Sequence, residues 1–291
     1  MLSIQKILVP VVFADTSRHV VHQAAWLARR FHAEIILLHV VTPFAYPAGL
    51  LESGHEITAR DLHAHIVQRA QKDLDHALRP ELGGIAVTRL LLRGNPAHEI
   101  VKAARDHNVD LIAMSTHDCG AFYPLLLGSV TAKVLHETDC MVWTGAHLEE
   151  PPAGDFSIRH VLCSVELNAH SRRTVSLAAG IAAAVDATLT LVHIPAGVEV
   201  WGPGGSHVDP VWKEQVVGFA AEEIGKLQKD VGTKAEVIID SGNVPQLLNR
   251  AAERTKADVL LIGHIPGRSH LGDNGEGYGI IRSSQIPVLS V

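Results

Sequence analysis

The sequence has few cysteines, no cluster of basic residues and no long apolar run. Its three cysteines, Cys119, Cys140 and Cys163, are widely spaced and form no CxxC pattern, which argues against a disulfide framework and a thiolate zinc site. Acidic residues outnumber basic ones by 31 to 25, so a nucleic-acid partner is not expected. No uncharged run approaches the roughly 18 to 20 residues that span a bilayer, and signal-peptide features are missing. We therefore expect a soluble, cytoplasmic protein with no membrane or nucleic-acid partner.

The chain repeats itself. Its 291 residues, 47% of them hydrophobic, are enough for two domains of roughly 150 residues each. The segment from Lys6 aligns with the segment from His160 at a constant shift, and later segments also match, which indicates duplication. The stretch "HLEEPPAGDFS" has the composition of an exposed connector. We predict domains at 1–147 and 158–291, joined by a linker at 148–157. The matched pairs include Val11 with Val165, Ser17 with Ser171, His39 with His193, Gly94-Asn95 with Gly242-Asn243, and Asp110 with Asp258.

Each half alternates short apolar runs with helix-length amphipathic segments. "KILVPVV", "EIILLHVV", "VTRLLL", "DLIAMS" and "CMVW" have the pattern of strands that are buried on both faces. Strands that alternate with helices predict right-handed crossovers and a parallel sheet covered on both sides. Each half is therefore expected to be a small doubly wound α/β domain. The glycine-rich stretch at Gly202–Gly205 has no Lys-Ser/Thr sequel, so it predicts a flexible lid or connector and not a P-loop.

Several of these motifs resemble the universal stress protein family in its tandem form: "KILVPV", "LLHVV", the Gly-Asn-Pro turn, "THDCG" and "LLLGSVTAKVL". The resemblance covers nearly the full length of both halves. It implies two five-stranded parallel-sheet domains with helices on both faces, the adenine nucleotide alpha hydrolase-like fold. It also implies self-association through the last strands, as an internal pseudo-dimer within one chain or as a homodimer of two chains.

Family members that bind ATP are expected to use three features at the carboxyl ends of the strands. These are an Asp at the end of strand one, the backbone of strand two, and a Gly-x2-Gly-x9-Gly-Ser/Thr loop after strand four. By this resemblance the first half supplies the candidate nucleotide-binding residues Pro10, Val11, Val12, Val40, Met114, Ser115, Thr116, His117, Gly128, Ser129, Val130 and Thr131.

Some of these positions depart from the family pattern. Val12 takes the place of the Asp, and Ser115 and Asp118 take the places of the first two glycines. A carboxylate about 4 Å from a phosphate would repel it by roughly 4 kcal/mol at an effective dielectric near 20. A magnesium ion between Asp118 and the phosphates would reverse that sign, so Asp118 is the candidate metal ligand.

The second half departs further from the pattern. Glu166 replaces the Asp conservatively and Gly263 fits the first glycine, but Pro266 takes the second. Gly267 and Gly277 keep the glycine spacing shifted by one residue, and Tyr278 removes the hydroxyl that follows. The candidate nucleotide-binding residues here are Glu166, Gly263, Gly267 and Gly277.

Ordinary structural explanations stand beside these assignments. Gly128 and Ser129 also suit a tight turn and N-cap, Asp118 suits a solvated loop, and Cys119 suits an inert loop thiol. Nineteen histidines raise the possibility of a metal or pH role, but the helical pairs that share a face supply two ligands where zinc usually takes three or four.

Two functional hypotheses follow, and the first is preferred. It describes a stress-response module with degenerate nucleotide sites that acts mainly through contacts with itself or with other proteins. The alternative is a stress sensor that binds ATP or another adenine nucleotide with Mg²⁺, mainly in the first domain. No set of nucleophile, base and metal ligands emerges for an enzyme, and the resemblance allows slow ATP hydrolysis or self-phosphorylation at most.

Overall fold

The structure is a computed structural model that describes residues 3–13, 16–43, 56–116, 127–145, 156–195, 199–202, 205–208, 210–263 and 276–291. The first repeat alternates short apolar strands with amphipathic helices. Its strands are β1 (Lys6–Pro10), β2 (Glu34–Val41), β3 (Val87–Arg93), β4 (Leu111–Met114) and β5 (Met141–Thr144). Its helices are α1 (Thr16–Phe31), α2 (Glu56–His76), α3 (Pro96–Asp106) and α4 (Ser129–Glu137).

The second repeat follows the same order, with an added hairpin. Its strands are β6 (His160–Ser164), β7 (Thr188–His193), β8 (Glu199–Gly202), β9 (Gly205–Val208), β10 (Glu236–Ile239), β11 (Val259–Ile262) and β12 (Val288–Ser290). Its helices are α5 (Ser171–Val185), α6 (Pro210–Val231), α7 (Val244–Thr255) and α8 (Glu276–Ser283). None of the helices in the described ranges combines the length and the apolar character that crossing a bilayer requires.

The chain forms two compact units. The smaller unit contains Ile4–Cys119 and Gly128–Cys140, and the larger contains Met141–Val291. The last strand of the first repeat, β5, therefore belongs to the larger unit, where it pairs antiparallel with β12 in the register Thr144 to Val288. This is the pairing of last strands within one chain that the resemblance implies.

In the smaller unit, parallel strands lie in the order β3-β2-β1-β4. The larger unit repeats this order as β10-β7-β6-β11, with β12 parallel to β11. Since parallel crossovers are right-handed, the two directions of travel along the sheet place helices on both faces. The predicted pair of doubly wound five-stranded domains is confirmed. Strand side chains such as Leu8, Leu37 and Ile112 are fully buried between those helix layers.

Two matched aspartates hold equivalent strands in place. One carboxylate oxygen of Asp110 accepts hydrogen bonds from the backbone N–H groups of Gln5 and Lys6, at 2.8 and 3.0 Å. The carboxylate of Asp258 accepts from Arg159 and His160 at 2.7 and 2.9 Å. The repeated aspartates therefore fasten the amino-terminal ends of β1 and β6, at the edge of the sheet opposite the strand tips.

The Gly-Asn turns are also structural in both repeats. The side chain of Asn95 caps α3 by accepting from the His98 N–H, and Asn243 caps α7 by accepting from the Gln246 N–H. The preceding glycines have φ values of 149° and 142°, which residues with a Cβ rarely adopt. These turns therefore need glycine followed by a capping side chain.

Two residues of the glycine-rich stretch of the second repeat belong to a hairpin. Gly202 pairs with Gly205 and Trp201 with Ser206 in the antiparallel hairpin β8–β9. This hairpin lies between β7 and α6, as a connector would, and the flexibility of the stretch stays a prediction. Pro203 and Gly204 lie outside the described residues.

Candidate functional site

The candidate site of the first repeat lies where the strand order reverses. From β1 the chain proceeds outward through β2 to β3, and then returns to place β4 on the other side of β1. Such a switch point, at the carboxyl ends of β1 and β4, is the usual place for the ligand crevice of an open α/β sheet. The predicted residues Pro10–Val12 and Met114–Thr116 lie at these two strand ends.

The tip of β1 is fixed by two hydrogen bonds. The Val11 N–H donates to the Leu38 carbonyl at 2.8 Å, and the Nδ1–H of His39 donates to the Val11 carbonyl at 2.8 Å. Val11 is buried, whereas Val12 and Phe13 are 38% and 45% exposed. The Phe13 ring lies against the His39 ring, with centroids 4.4 Å apart and planes inclined by 33°. The tip therefore presents an apolar surface beside an aromatic pair.

Val40 presents backbone groups to the same region. Alternate residues of a strand direct their N–H and C=O groups to the same neighbour. Because the Leu38 carbonyl faces β1, the N–H and C=O of Val40 face that side too, beyond Pro10, the last residue of β1. This geometry suits the edge of a heterocycle that carries both a donor and an acceptor.

The start of α4 is held against the end of β4. Gly128 is the N-cap and donates its N–H to the Thr116 carbonyl at 2.8 Å. The buried hydroxyl of Thr131 donates to the Ser115 carbonyl at 2.9 Å. Ser129 is the first helical residue, and no side chain among the described residues caps the helix. The N–H groups at the start of α4 and the positive end of its dipole are arranged to receive an anion.

At the tip of its first strand, the second repeat has the same backbone hydrogen bonds as the first repeat but different side chains. The Val165 N–H donates to the Val192 carbonyl at 2.8 Å, and the Nδ1–H of His193 donates to the Val165 carbonyl at 2.6 Å. Burial lowers the pKa of His193 below its usual value, although its hydrogen bond to Val165 opposes that shift. The backbone frame of the site is therefore the same in both repeats.

Glu166 lies in a tight loop of its own. Its carboxylate accepts from the Asn168 side chain at 2.8 Å, and Leu167 between them has a left-handed φ of 56°. The Asn168 N–H donates to the Ser171 hydroxyl at 2.9 Å. The loop thus holds the carboxylate of Glu166 next to Asn168, although Glu166 remains exposed to solvent.

The anion end of the second repeat is also different. Gly263 follows β11, as predicted, and an added Cβ there would lie 3.4 Å from the Thr174 hydroxyl oxygen. Gly277 is buried and is the second residue of α8, whereas its counterpart Gly128 precedes α4 as the N-cap. Gly277 therefore lies within the helix, and the residues from 264 to 275 lie outside the described part of the chain.

The structure brings together the predicted residues at the strand ends and at the start of α4, including Val130 in its first turn. His117, Asp118, Cys119, Pro266 and Gly267 lie outside the described residues, so the proposed metal role of Asp118 stays a prediction. Among the described histidines, cysteines and acidic residues, no three are grouped so that they could hold a metal ion.

Sequence reasoning did not assign Phe13 or His39 to the site. The match of His39 with His193 was a signal for the histidine, since both rings make the same bond to the tip of strand one. The contact of Phe13 had no comparable signal, because the matching residue is Leu167.

Comparisons with known proteins agree on one family. A family model described as the universal stress protein family matches residues 3–144 and 157–291. A universal stress protein of Methanothermobacter thermautotrophicus is 35% identical over 142 residues, which are 47% of this chain and 92% of that protein. One from Methanocaldococcus jannaschii is 31% identical over 140 residues, 47% of this chain and 79% of that protein. A crystal structure of a universal stress protein from Archaeoglobus fulgidus has the same fold, with a TM-score of 0.64, 20% identity and coverage of 98% of this chain and 95% of that one.

Proposed function

Because the chain belongs to the universal stress protein family, in tandem form, we propose that it is a cytoplasmic stress-response module with degenerate nucleotide sites that acts mainly through protein contacts. The observation that carries this proposal is the pair of strand-one tips. At the position where ATP-binding members are expected to have Asp, the first repeat exposes Val12, and the second directs Glu166 into a hydrogen bond with Asn168.

The energetics of these tips support weak binding. A site that hydrogen-bonds a ligand hydroxyl discriminates strongly for it, whereas an apolar side chain at that point leaves the hydroxyl to water. The apolar side chain of Val12 therefore offers no hydrogen-bonding group to a ribose hydroxyl.

A surface suited to protein contacts lies on α6. Val211, Trp212 and Phe219 are 65%, 48% and 65% exposed, and their spacing along α6 places them near one face. Large exposed apolar side chains that lie together mark interaction sites more often than isolated ones do. This surface is the part of the second repeat that supports the protein-contact role.

The nucleotide content of the purified protein tests this proposal. We expect protein purified without added nucleotide and then gently denatured to release far less than one adenine nucleotide per chain, as measured by mass spectrometry. Recovery of one nucleotide per chain would contradict degenerate sites. The contact role is tested separately, by expecting Phe219→Ser to weaken association with itself or a partner in sedimentation or cross-linking experiments.

A second candidate function is favoured by the start of α4. Its Gly128 N-cap leaves the first turn without a side-chain cap among the described residues, and Val40 supplies backbone groups to the same crevice. These features support weak binding of ATP or another adenine nucleotide, with Mg²⁺, in the first repeat. The chain's own residues would hold the phosphates at the start of α4, and Asp118 would hold the metal. Protein contacts and such binding are compatible, because they use different residues.

Calorimetric titration with ATP in the presence and absence of Mg²⁺ tests this second function. Saturable heat that Ser129→Glu removes would support a phosphate site at α4, because the added carboxylate repels the anion. Lys133→Gln, further along the same helix, also lowers the charge by one unit and serves as the control. The absence of saturable heat from the unaltered protein would exclude this function.

A further inference from the structure

The exposed surface at the tip of β1 is apolar and includes an aromatic ring. Val12 and Phe13 are exposed, and the Phe13 ring lies on the His39 ring. The hydrogen bond from His39 Nδ1 to the Val11 carbonyl fixes the histidine ring in place. Phe13 is therefore supported from beneath by a ring that is itself held by the sheet.

A supported aromatic ring is a stacking surface. Aromatic side chains bind the flat faces of heterocycles in offset or tilted arrangements, and such stacking tolerates different bases because every base has a π-face. The N–H and C=O of Val40 face the same side of β2, where they could pair with the edge of a base. The described residues at this tip thus offer contacts to the base of a ligand.

The same tip offers little to a sugar. Hydroxyls of ribose are commonly held by a carboxylate that follows a strand, and the first repeat has Val12 where the second has Glu166. Among the described residues Pro10–Phe13, every side chain is apolar. A ribose placed here would keep its hydroxyls in water.

We propose that the first repeat selects its ligand by the base and not by the sugar: the Phe13–His39 ring pair stacks on the adenine ring, and the ribose hydroxyls add no discrimination. This inference rests on the adenine-nucleotide candidate for the first repeat. It assigns Phe13 as a specificity-determining residue and predicts a ligand class that includes deoxy and dideoxy nucleotides.

Competition titrations in the presence of Mg²⁺ test this inference on the full chain. We expect ATP and 2′,3′-dideoxy-ATP to bind with dissociation constants within about threefold of each other, because the base supplies the contact. Inorganic triphosphate, which lacks a base, should bind about tenfold more weakly or worse. A preference for ATP over the dideoxy compound of tenfold or more would overturn the inference.

Variants of the tip locate the contact. Phe13→Leu keeps apolar bulk and removes the ring, so it should weaken binding of both nucleotides about tenfold. Leu167→Ala, at the matching position of the second repeat, is the control and should change neither. Circular dichroism spectra and thermal unfolding confirm that each variant is folded. Unchanged binding by Phe13→Leu would overturn the inference while leaving the nucleotide function in place.

A third change introduces the missing carboxylate. Val12→Asp should create a preference for ATP over dideoxy-ATP, because the ribose hydroxyls gain an acceptor. If the unaltered protein already shows this preference, a group outside the described tip reads the sugar and the inference is wrong. If neither nucleotide binds the unaltered protein, the nucleotide candidate and this inference both fail.

Discussion

In the first repeat, Val11 is followed by the exposed apolar side chains of Val12 and Phe13, whereas in the second repeat Val165 is followed by Glu166 and a left-handed Leu167. The hydrogen bonds behind these residues are nevertheless the same: the N–H of the tip valine donates to a strand-two carbonyl, and a strand-two histidine donates to the carbonyl of the same valine. After duplication, then, the backbone frame was retained while the side chains that would meet a ligand diverged. The comparison makes separate predictions for shared and for divergent residues.

The largest expected effect concerns the shared aspartates. Asp110→Ala and Asp258→Ala each remove two charge-assisted hydrogen bonds, so each should lower the free energy of unfolding by about 3 kcal/mol. Asp→Asn at either position keeps an acceptor and should cost less. Denaturant unfolding measures all four variants. A large loss of stability for one aspartate variant and none for the other would contradict the comparison, because the two repeats would then not share the same backbone frame.

The glycines of the Gly-Asn turns should show a graded effect. Gly94→Ala and Gly242→Ala place a Cβ on a backbone at positive φ, which costs on the order of 2 kcal/mol. Gly94→Ala should be worse, because its Cβ would lie 2.8 Å from a Glu99 carboxylate oxygen, whereas at Gly242 the nearest atom is a Leu247 methyl carbon at 3.5 Å. Thermal unfolding of each variant, and of Gly94→Ala combined with Glu99→Ala, measures the difference. Equal losses in both single variants would show that the Glu99 contact is irrelevant.

Cys163 provides a test of the shared core. It is fully buried in β6, where burial raises the pKa of its thiol to about 12, and Val9 is the matching residue of β1. Cys163→Val should therefore be tolerated, whereas Cys163→Ser should cost about 1.5 kcal/mol, because it buries a hydroxyl in apolar surroundings. Chemical denaturation measures the free energy of unfolding of the two variants. A valine variant less stable than the serine variant would show that the two strands are packed differently.

The smallest effect is a pH dependence from His193. Burial lowers its pKa in the folded protein, while the unfolded chain keeps a value near 6.5. Below about pH 6.5 the unfolded state binds more protons, so stability falls as the pH drops and is retained above that value. His193→Asn keeps a donor for the Val165 carbonyl and does not titrate. Unfolding at pH 5 and pH 7.5 should show a smaller loss for this variant; an identical loss would assign the pH dependence to other groups.

Much of the fold could be predicted from sequence because its determinants are local or repeated. Continuous apolar runs specify buried strands, and the repeat alignment identified Asp110, Asp258 and the Gly-Asn turns before their hydrogen bonds were known. The pairing of β5 with β12 was accessible only through the family resemblance, because nothing local in "CMVW" specifies a partner strand.

The candidate site was less predictable for a physical reason. The ring contact between Phe13 and His39 depends on where two strands end, and sequence periodicity does not carry that information. A left-handed Leu167 is disfavoured by its Cβ, yet the surrounding bonds to Asn168 and Ser171 hold that loop.

The antiparallel pairing of β5 with β12 has a consequence when the protein is present at low concentration. Two strands on separate chains would come apart on dilution, but a peptide linker keeps these two at a high effective concentration however few molecules are present. Each strand thereby covers an edge of the other. An uncovered edge could pair with a strand of another protein molecule. Fusion of the repeats thus makes the covered edge independent of expression level.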